Sequence, residues 1–181
     1  MNTIGWKGEL VRLAPPDRTL HAENGYRWMN DPEAACTLKR SLGITRKEQL
    51  AFFDVIEDRS NNHWVWAIHN PDDLHIGFIG MQINWRNRSA TGGIFLGERS
   101  AWGQGYATDA VRTRARIAFE WMGLHRVEGH TFNPAMRRVY EKAGYSYEGT
   151  ARQAFWSGGR WHDAFLYAIL ESDHFAANLR S

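Results

Sequence analysis

The sequence predicts one mixed α/β domain. Three observations carry the prediction. Segments with a two-residue apolar period are interleaved with segments of helical period, in the order strand, helices, meander, helix, strand, helix, hairpin. The 181 residues suffice for one sizeable core and are short for two. No repeat, linker or low-complexity stretch divides them.

Residues 9–13 alternate polar and apolar and then meet Pro15-Pro16, which suits a short first strand closed by prolines. Asp17 stands where a helix cap belongs, and a helix is expected to about Met29, with Leu20, Tyr26 and Trp28 as apolar surface. Asn30-Asp31-Pro32 ends it, and residues 33–45 read as a loop or a broken second helix. Thr45 and Glu48 form a capping-box pattern, followed by Leu50, Phe53 and Ile56 at helical spacing. Residues 63–69 and 74–85 are strand-like around the turn residues 70–73, an antiparallel hairpin. A fourth strand is expected over 91–97, where Gly92-Gly93 predicts a bulge or a close backbone approach.

After Gly105, residues Ala107, Ala110, Val111, Ala118 and Met122 recur on one side of a long helix, and Arg112, Arg114 and Arg116 are assigned to its outer face. Gly123 can end that helix. Residues 126–132 read as a fifth strand, and Pro134 opens a helix that stops before Gly144. Residues 145–150 and 161–170 are the last two strands, around Ser157-Gly158-Gly159. The sum is about seven strands and about four helices.

Composition narrows the function. A hydrophobic fraction of 43% and a charged fraction of 23% are those of an ordinary globular domain. A formal charge of +2 makes no case for nucleic acid. Cys36 is the only cysteine, so an internal disulfide and a thiolate metal cage are excluded, and the eight histidines lack paired metal-ligand spacing. No apolar run approaches the roughly 18 residues of a membrane span, and residues 1–9 hold no signal-like core. The expectation is a cytoplasmic protein without metal, membrane or nucleic-acid partner.

The stretch Gly103-Gln104-Gly105-Tyr106-Ala107-Thr108 is the chemical centre of the chain. Glycines let the backbone turn sharply and lie close to a ligand. The first amides of a helix lack partners and carry the positive end of its dipole, which suits a phosphate. A dinucleotide fold would place its glycines after the first strand, and a P-loop would end in Gly-Lys-Ser/Thr. Neither pattern is present, so the corner reads as a phosphate site of another kind or a tight strand–helix turn.

Taken with Asn133-Pro-Ala-Met-Arg-Arg-Val-Tyr140-Glu-Lys-Ala-Gly144-Tyr145, this stretch resembles the GNAT superfamily of acyl-CoA N-acetyltransferases. Trp28-Met-Asn-Asp-Pro-Glu33, Tyr147-Glu-Gly149 and Gly159-Arg-Trp-His-Asp163 extend the resemblance toward the RimJ/RimL-like branch, which contains ribosomal-protein alanine N-acetyltransferases. The resemblance implies a mostly antiparallel twisted sheet, splayed between strands four and five, with acetyl-CoA as cosubstrate. It implies that backbone amides of Gly103, Gln104, Gly105, Tyr106 and Ala107 cradle the pyrophosphate. The pantetheine arm would lie between Phe95-Leu96 and Val127-Glu128, with Asn133 binding it and Tyr140 as general acid. Ser100 occupies a position where the family often has Arg or Gln, and Thr108 is a cap or a phosphate contact.

Amide formation needs a neutral amine, an oxyanion donor and a protonated leaving sulfur. An α-amine, with a pKa near ~7.7–8.0, is partly neutral at physiological pH, whereas a lysine amine near ~10.4 is not. A strand N–H around Phe95 or Leu96 can receive the oxyanion, and Tyr140 can supply the proton. Glu98, Glu128 and His130 are the candidate bases. Trp28, Glu33, Arg40, Trp64, Trp66, Phe155 and Trp156 are the candidate acceptor-pocket residues. The expected acceptor is a primary amine, a protein N-terminal α-amine or a small amine such as a polyamine, amino sugar or aminoglycoside. A non-catalytic acyl-CoA-binding module is the competing class, and a homodimer is compatible with the sequence.

Overall fold

A computed structural model describes residues 4–35, 38 and 43–178 of the chain. Its strands are β1 (Trp6–Lys7), β2 (Arg12–Ala14), β3 (His63–His69), β4 (His75–Asn84), β5 (Ser89–Leu96), β6 (Arg126–Thr131), β7 (Ser146–Ser157) and β8 (Arg160–Leu170). Its helices are α1 (Arg18–Met29), α2 (Pro32–Ala35), α3 (Arg46–Glu57), α4 (Tyr106–Arg116), α5 (Pro134–Lys142) and α6 (Glu171–Asn178). The strands form one sheet in the order β1-β2-β3-β4-β5-β6-β8-β7. All neighbours run antiparallel except β5 and β6. The expected mixed fold is therefore present, with one more strand and two more helices than the sequence pattern gave. The additions are short or terminal: two-residue β1, one-turn α2 and α6.

Local chemistry explains the boundaries. Asp17 caps α1 by accepting from the amides of Thr19 and Leu20. Thr45 and Glu48 close the expected capping box on α3, and Gln49, Phe53 and Ile56 then fall on one buried face. Asn133 caps α5 through the Ala135 amide, with Pro134 in the first turn. Gly158 and Gly159 both take positive φ in the β7–β8 turn, a conformation that glycine adopts without a Cβ penalty. The helix begun by α4 continues over Ile117–Trp121 as a π-turn, with the Met122 amide bonding to the Ile117 carbonyl.

Two apolar layers flank the sheet. Trp28, Ala34, Phe53 and Ile56 of α1–α3 pack on Val65, Ala67, Phe78 and Phe95. On the opposite face, Ala110, Val111, Ala115, Ile117, Ala118 and Tyr140 pack with Leu13, Trp66, Ile68, Ile79 and Met81. The period of two along each strand sends alternate residues to these two layers.

Two expectations are corrected here. Gly92-Gly93 makes no bulge, since β4 and β5 stay in register through Gly80↔Gly93 and Met81↔Gly92. The close approach is made instead by the Arg114 guanidinium, with which a Cβ on Gly92 would collide. Arg114 is consequently not on the outer face of α4 but fully buried. Arg112 and Arg116 are the outer ones, donating to the carbonyls of Lys142 and Lys7.

Candidate active site

The parallel pair is the geometric origin of the site. β5 and β6 are paired only at Ser89↔Arg126, Ala90↔Val127 and Thr91↔Glu128. The next residue on each strand is a glycine, Gly92 and Gly129, and from there the strands part. Val127 and Glu128, expected beside the gap, are thus inside the paired segment, and the gap opens past both of them, at Gly129. Gly129 makes room for the Tyr140 hydroxyl, which a Cβ there would strike.

A cleft of about 1400 Å³ runs through this fork. It exceeds the roughly 300–1,000 Å³ of a site for one small ligand, so it has room for a long cofactor and a second substrate. Gly92, Gly93, Ile94, Phe95 and Leu96 form one wall, and Thr131, Asn133, Met136, Val139 and Tyr140 form the other. Gly103, Gly105, Tyr106, Ala107 and Thr108 close one end.

That end fits a phosphate group. Gly103 and Gly105 have φ of 76° and 85°, so the loop turns through left-handed conformations directly before α4. Apart from its chain neighbours, no described residue stands within 4 Å of where a Cβ of Gly103 would project. The first helix bond donated from this loop region is Asp109 N–H to the Gly105 carbonyl, which leaves the amides of Tyr106, Ala107 and Thr108 without a backbone acceptor among the described residues. Gln104 sits in the loop without lining the cleft. Ser100 does not reach it either, because its hydroxyl donates to Glu98. Asp109 anchors the corner from behind, accepting from the amides of Glu9, Leu10 and Val11.

Tyr140 lies at the middle of the cleft with 2% of its surface exposed. Its ring stacks on Tyr167 at 5.4 Å and leans on Tyr145 at 5.1 Å. Burial holds its phenol above the usual value, and the Arg114 guanidinium acts in the opposite direction. The phenol therefore keeps its proton at neutral pH. Asn133 lines the same wall, its side-chain oxygen accepting from Ala135 N–H.

The other mouth opens toward α1 and α3, where Met29, Phe52, Val55, His63, Gln82 and His130 line the cleft. His130 stacks on Phe155, and Phe132 packs against Phe155 and His162. Most of the aromatics expected at an acceptor pocket are elsewhere. Trp28 and Trp66 are buried in the two opposite layers, Trp64 packs beside Trp66, and Trp156 pairs with Trp161 at the hairpin tip. Glu33 pairs with Arg99. Arg40 and Cys36 lie outside the described residues.

The candidate bases separate cleanly. Glu98 pairs with Arg27 and accepts from Ser100, away from the cleft. Glu128 pairs with Arg126 and accepts from the Thr91 hydroxyl. Only His130 of the three lines the cleft. Sequence reasoning missed Phe52 and His63, which the α3 capping box and the start of β3 bring to the mouth. No cluster of metal-ligating side chains occurs among the described residues.

A sheet forked at its parallel pair, a glycine-built turn into α4 and a buried phenol at the fork thus line one cleft. Residues 11–146 match the model of the acetyltransferase (GNAT) domain, and the chain belongs to that family. Over 106 residues it is 37% identical to the "Probable N-acetyltransferase YjcK" of Bacillus subtilis (strain 168), a match covering 56% of this chain and 58% of the relative. YdaF of the same organism, provisionally named as a ribosomal N-acetyltransferase, is 29% identical over 109 residues, covering 59% of this chain and 52% of that protein. The chain thus matches between half and three fifths of the length of these two relatives. Spermidine N-acetyltransferase from Vibrio cholerae, solved with CoA and spermine, superposes with a TM-score of 0.83 at 20% identity, covering 91% of this chain and 98% of that one.

Proposed function

We propose that the protein transfers the acetyl group of acetyl-CoA to a primary amine, and that the amine is the α-amine of a peptide or protein N-terminus, as in the RimJ/RimL-like branch. Bound acetyl-CoA supplies an acyl thioester. The chain's own residues do the rest. Amides at Gly103, Gly105, Tyr106 and Ala107 hold the pyrophosphate, aided by the α4 dipole. β5 beyond Thr91 has a strand partner on one edge only, which leaves backbone groups near Phe95 and Leu96 to orient the arm and receive negative charge. Asn133 binds along the opposite wall. Tyr140 holds a proton for the departing sulfur, and His130 takes the proton of the amine, directly or through water.

The observation that carries the acceptor class is the mouth beside α1 and α3. Met29, Phe52, Val55, His63, Gln82 and His130 give it little negative charge. Among the described lining residues Glu48 is the one carboxylate, and its oxygen is turned to the Thr45 amide and hydroxyl. A polyamine carries several positive charges and calls for carboxylates to match them. An α-amine brings one ionisable nitrogen, partly neutral at physiological pH, and an apolar side chain that such a mouth can cover.

The test is CoA release with an acceptor panel of short peptides, polyamines and amino sugars, alongside calorimetry with acetyl-CoA. Saturable cofactor binding and preference for free peptide N-termini are expected. Faster turnover of spermidine would overturn the acceptor assignment. Tight cofactor binding without transfer to any amine would leave a non-catalytic acyl-CoA-binding module.

A further inference from the structure

Arg114 is a fully buried arginine with no acid beside it among the described residues. Its Nη1 donates to the carbonyls of Gly80 and Gly93, each at 3.2 Å, and its Nη2 donates to the Tyr145 hydroxyl at 3.2 Å. It makes no ion pair among the described residues, and its Nε has no hydrogen-bond partner there. A guanidinium stays charged in a protein, and taking it out of water costs several kcal/mol that neutral acceptors offset only in part. A leucine would fill a helix–sheet interface without that cost. The fold also gives up a side chain for it, since Gly92 is the residue that accommodates the guanidinium.

The location suggests what the charge does. Gly92 and Gly129 are the first residues past the last β5–β6 pair. Arg114 fills the space over the first and the Tyr140 hydroxyl fills the space over the second. Cation and phenol therefore meet behind the fork, and the guanidinium acts directly on the phenol. The other elements packed on Tyr140 bring Tyr145 and Tyr167. Tyr167 donates to Glu141, and Arg137 donates to Tyr167, so those two charges stand beyond a second phenol. Arg114 does not line the cleft.

We propose that Arg114 is a positioning residue for acetyl transfer, holding the Tyr140 phenol at the fork and stabilising the phenolate left when Tyr140 gives up its proton. The proposal rests on the acetyltransferase reading and extends it to a residue outside the cleft. The lone pair of the neutral amine forms the new carbon–nitrogen bond to the acetyl carbon, and as the carbon–sulfur bond breaks its electron pair goes to sulfur. The Tyr140 O–H bond breaks as an S–H bond forms, and the O–H electron pair stays on the phenolic oxygen. The proton released by the amine reaches solvent through the base, and solvent returns one to the phenolate. A buried phenolate is costly, and a positive charge fixed beside it lowers that cost in the proton-transfer step alone.

The experiment compares Arg114→Met and Arg114→Lys, each in wild-type and Tyr140→Phe backgrounds. In the wild-type background, Arg114→Met should lower kcat about tenfold or more, with KM for acetyl-CoA changed less than about threefold. The basic limb of the kcat–pH profile should move up by about one pH unit. Arg114→Lys should recover part of kcat, and Arg114→Met should cost less than about twofold once Tyr140 is Phe. Equal losses in both backgrounds, with an unmoved basic limb, would overturn the proposal. Should wild-type protein transfer no acetyl group, the acetyltransferase reading fails by itself. Ultraviolet phenolate titration then tests the contact alone: the Tyr140 contribution, identified by its loss in Tyr140→Phe, rises in pH in Arg114→Met, and an unchanged midpoint refutes the pairing.

Discussion

Stability should fall steeply in mild acid because a histidine network is built for neutral rings. His21, His69 and His75 meet between α1, β3 and β4, with His21 and His75 nearly inaccessible. His21 Nδ1 accepts from the Asp17 amide, so its Nε2 carries the proton and donates to His69 Nε2 at 3.2 Å. His69 Nδ1 then donates to the Asp73 carbonyl. His75 Nε2 donates to the Gly77 carbonyl, and its Nδ1 accepts from Asn24. Every ring nitrogen has a complementary partner only while all three rings are uncharged. Burial, then the neighbouring His21 and His69, hold His75 down to about 3 from 6.5. Burial is also the first cause that lowers His21 and His69.

The sign follows from linkage. The unfolded chain binds a proton at His75 as pH falls through 6.5, and the folded chain refuses it until about 3. The stabilisation is therefore complete above 6.5 and is lost as pH falls toward 3. Between about pH 7.5 and about pH 5, one such imidazole changes the unfolding free energy by about 2 kcal/mol. Exposed carboxylates with lowered pKa, such as Asp17 and Asp31, stay ionised across that window. Urea unfolding at both pH values, in wild-type and His75→Gln proteins, isolates the effect. Glutamine keeps an N–H donor but cannot take the proton. The variant should lose about 2 kcal/mol less than wild-type on acidification. Parallel losses would refute the reasoning, because His75 would then not be the group that titrates.

Other consequences are equally direct. Asp109→Ala removes the acceptor of three amides in the 9–11 loop and should cost about 2–4 kcal/mol by chemical denaturation. Gly129→Ala drives a methyl into the Tyr140 hydroxyl; turnover should fall at least tenfold, and wild-type kcat would mean the strand yields instead. Gly105→Val imposes a β-branched side chain at φ 85° and should weaken acetyl-CoA binding by about tenfold or more in calorimetry. Tyr140→Phe should lower kcat about 10²-fold with cofactor affinity nearly intact, and unchanged turnover removes Tyr140 from its role.

The frame of the molecule was legible because local chemistry writes it. Asp17, Thr45, Glu48, Asn133 and Pro134 each mark a helix start by a side-chain bond or a missing N–H, and each start stands where it was expected. Strand existence followed from period two. Which layer a tryptophan joins did not, because Trp28 on α1 and Trp66 on β3 enter opposite layers according to which face of the sheet each helix covers. Arg114 is different, since its burial is readable in the spacing of the three arginines. On a helix advancing 100° per residue, Arg112 and Arg116 lie within about 40° of each other, and Arg114 lies some 200° from the first. Three arginines at spacing two cannot share one face. The middle one had to turn inward, toward the stripe of Ala110, Val111 and Ala118.

The same reasoning describes what stands at the fork of the sheet. Glycine alone does not end strand pairing, since β4 and β5 stay in register through Gly92 and Gly93. Past Thr91 and Glu128 both strands of the parallel pair have a glycine at the next position, and the volume each lacks is taken by a helix side chain, Arg114 from α4 and Tyr140 from α5. The helices thus reach into the sheet at the point of divergence, and the polar ends of these side chains make that point chemically distinct from the apolar layer around it. A fork lined by aliphatic residues would also hold an acyl chain. It would hold neither the buried phenol nor the buried guanidinium on which the proposed proton transfer rests. The two glycines matter less for flexibility than for the side chains they admit, and that is how a break in strand pairing becomes a candidate site for acyl transfer.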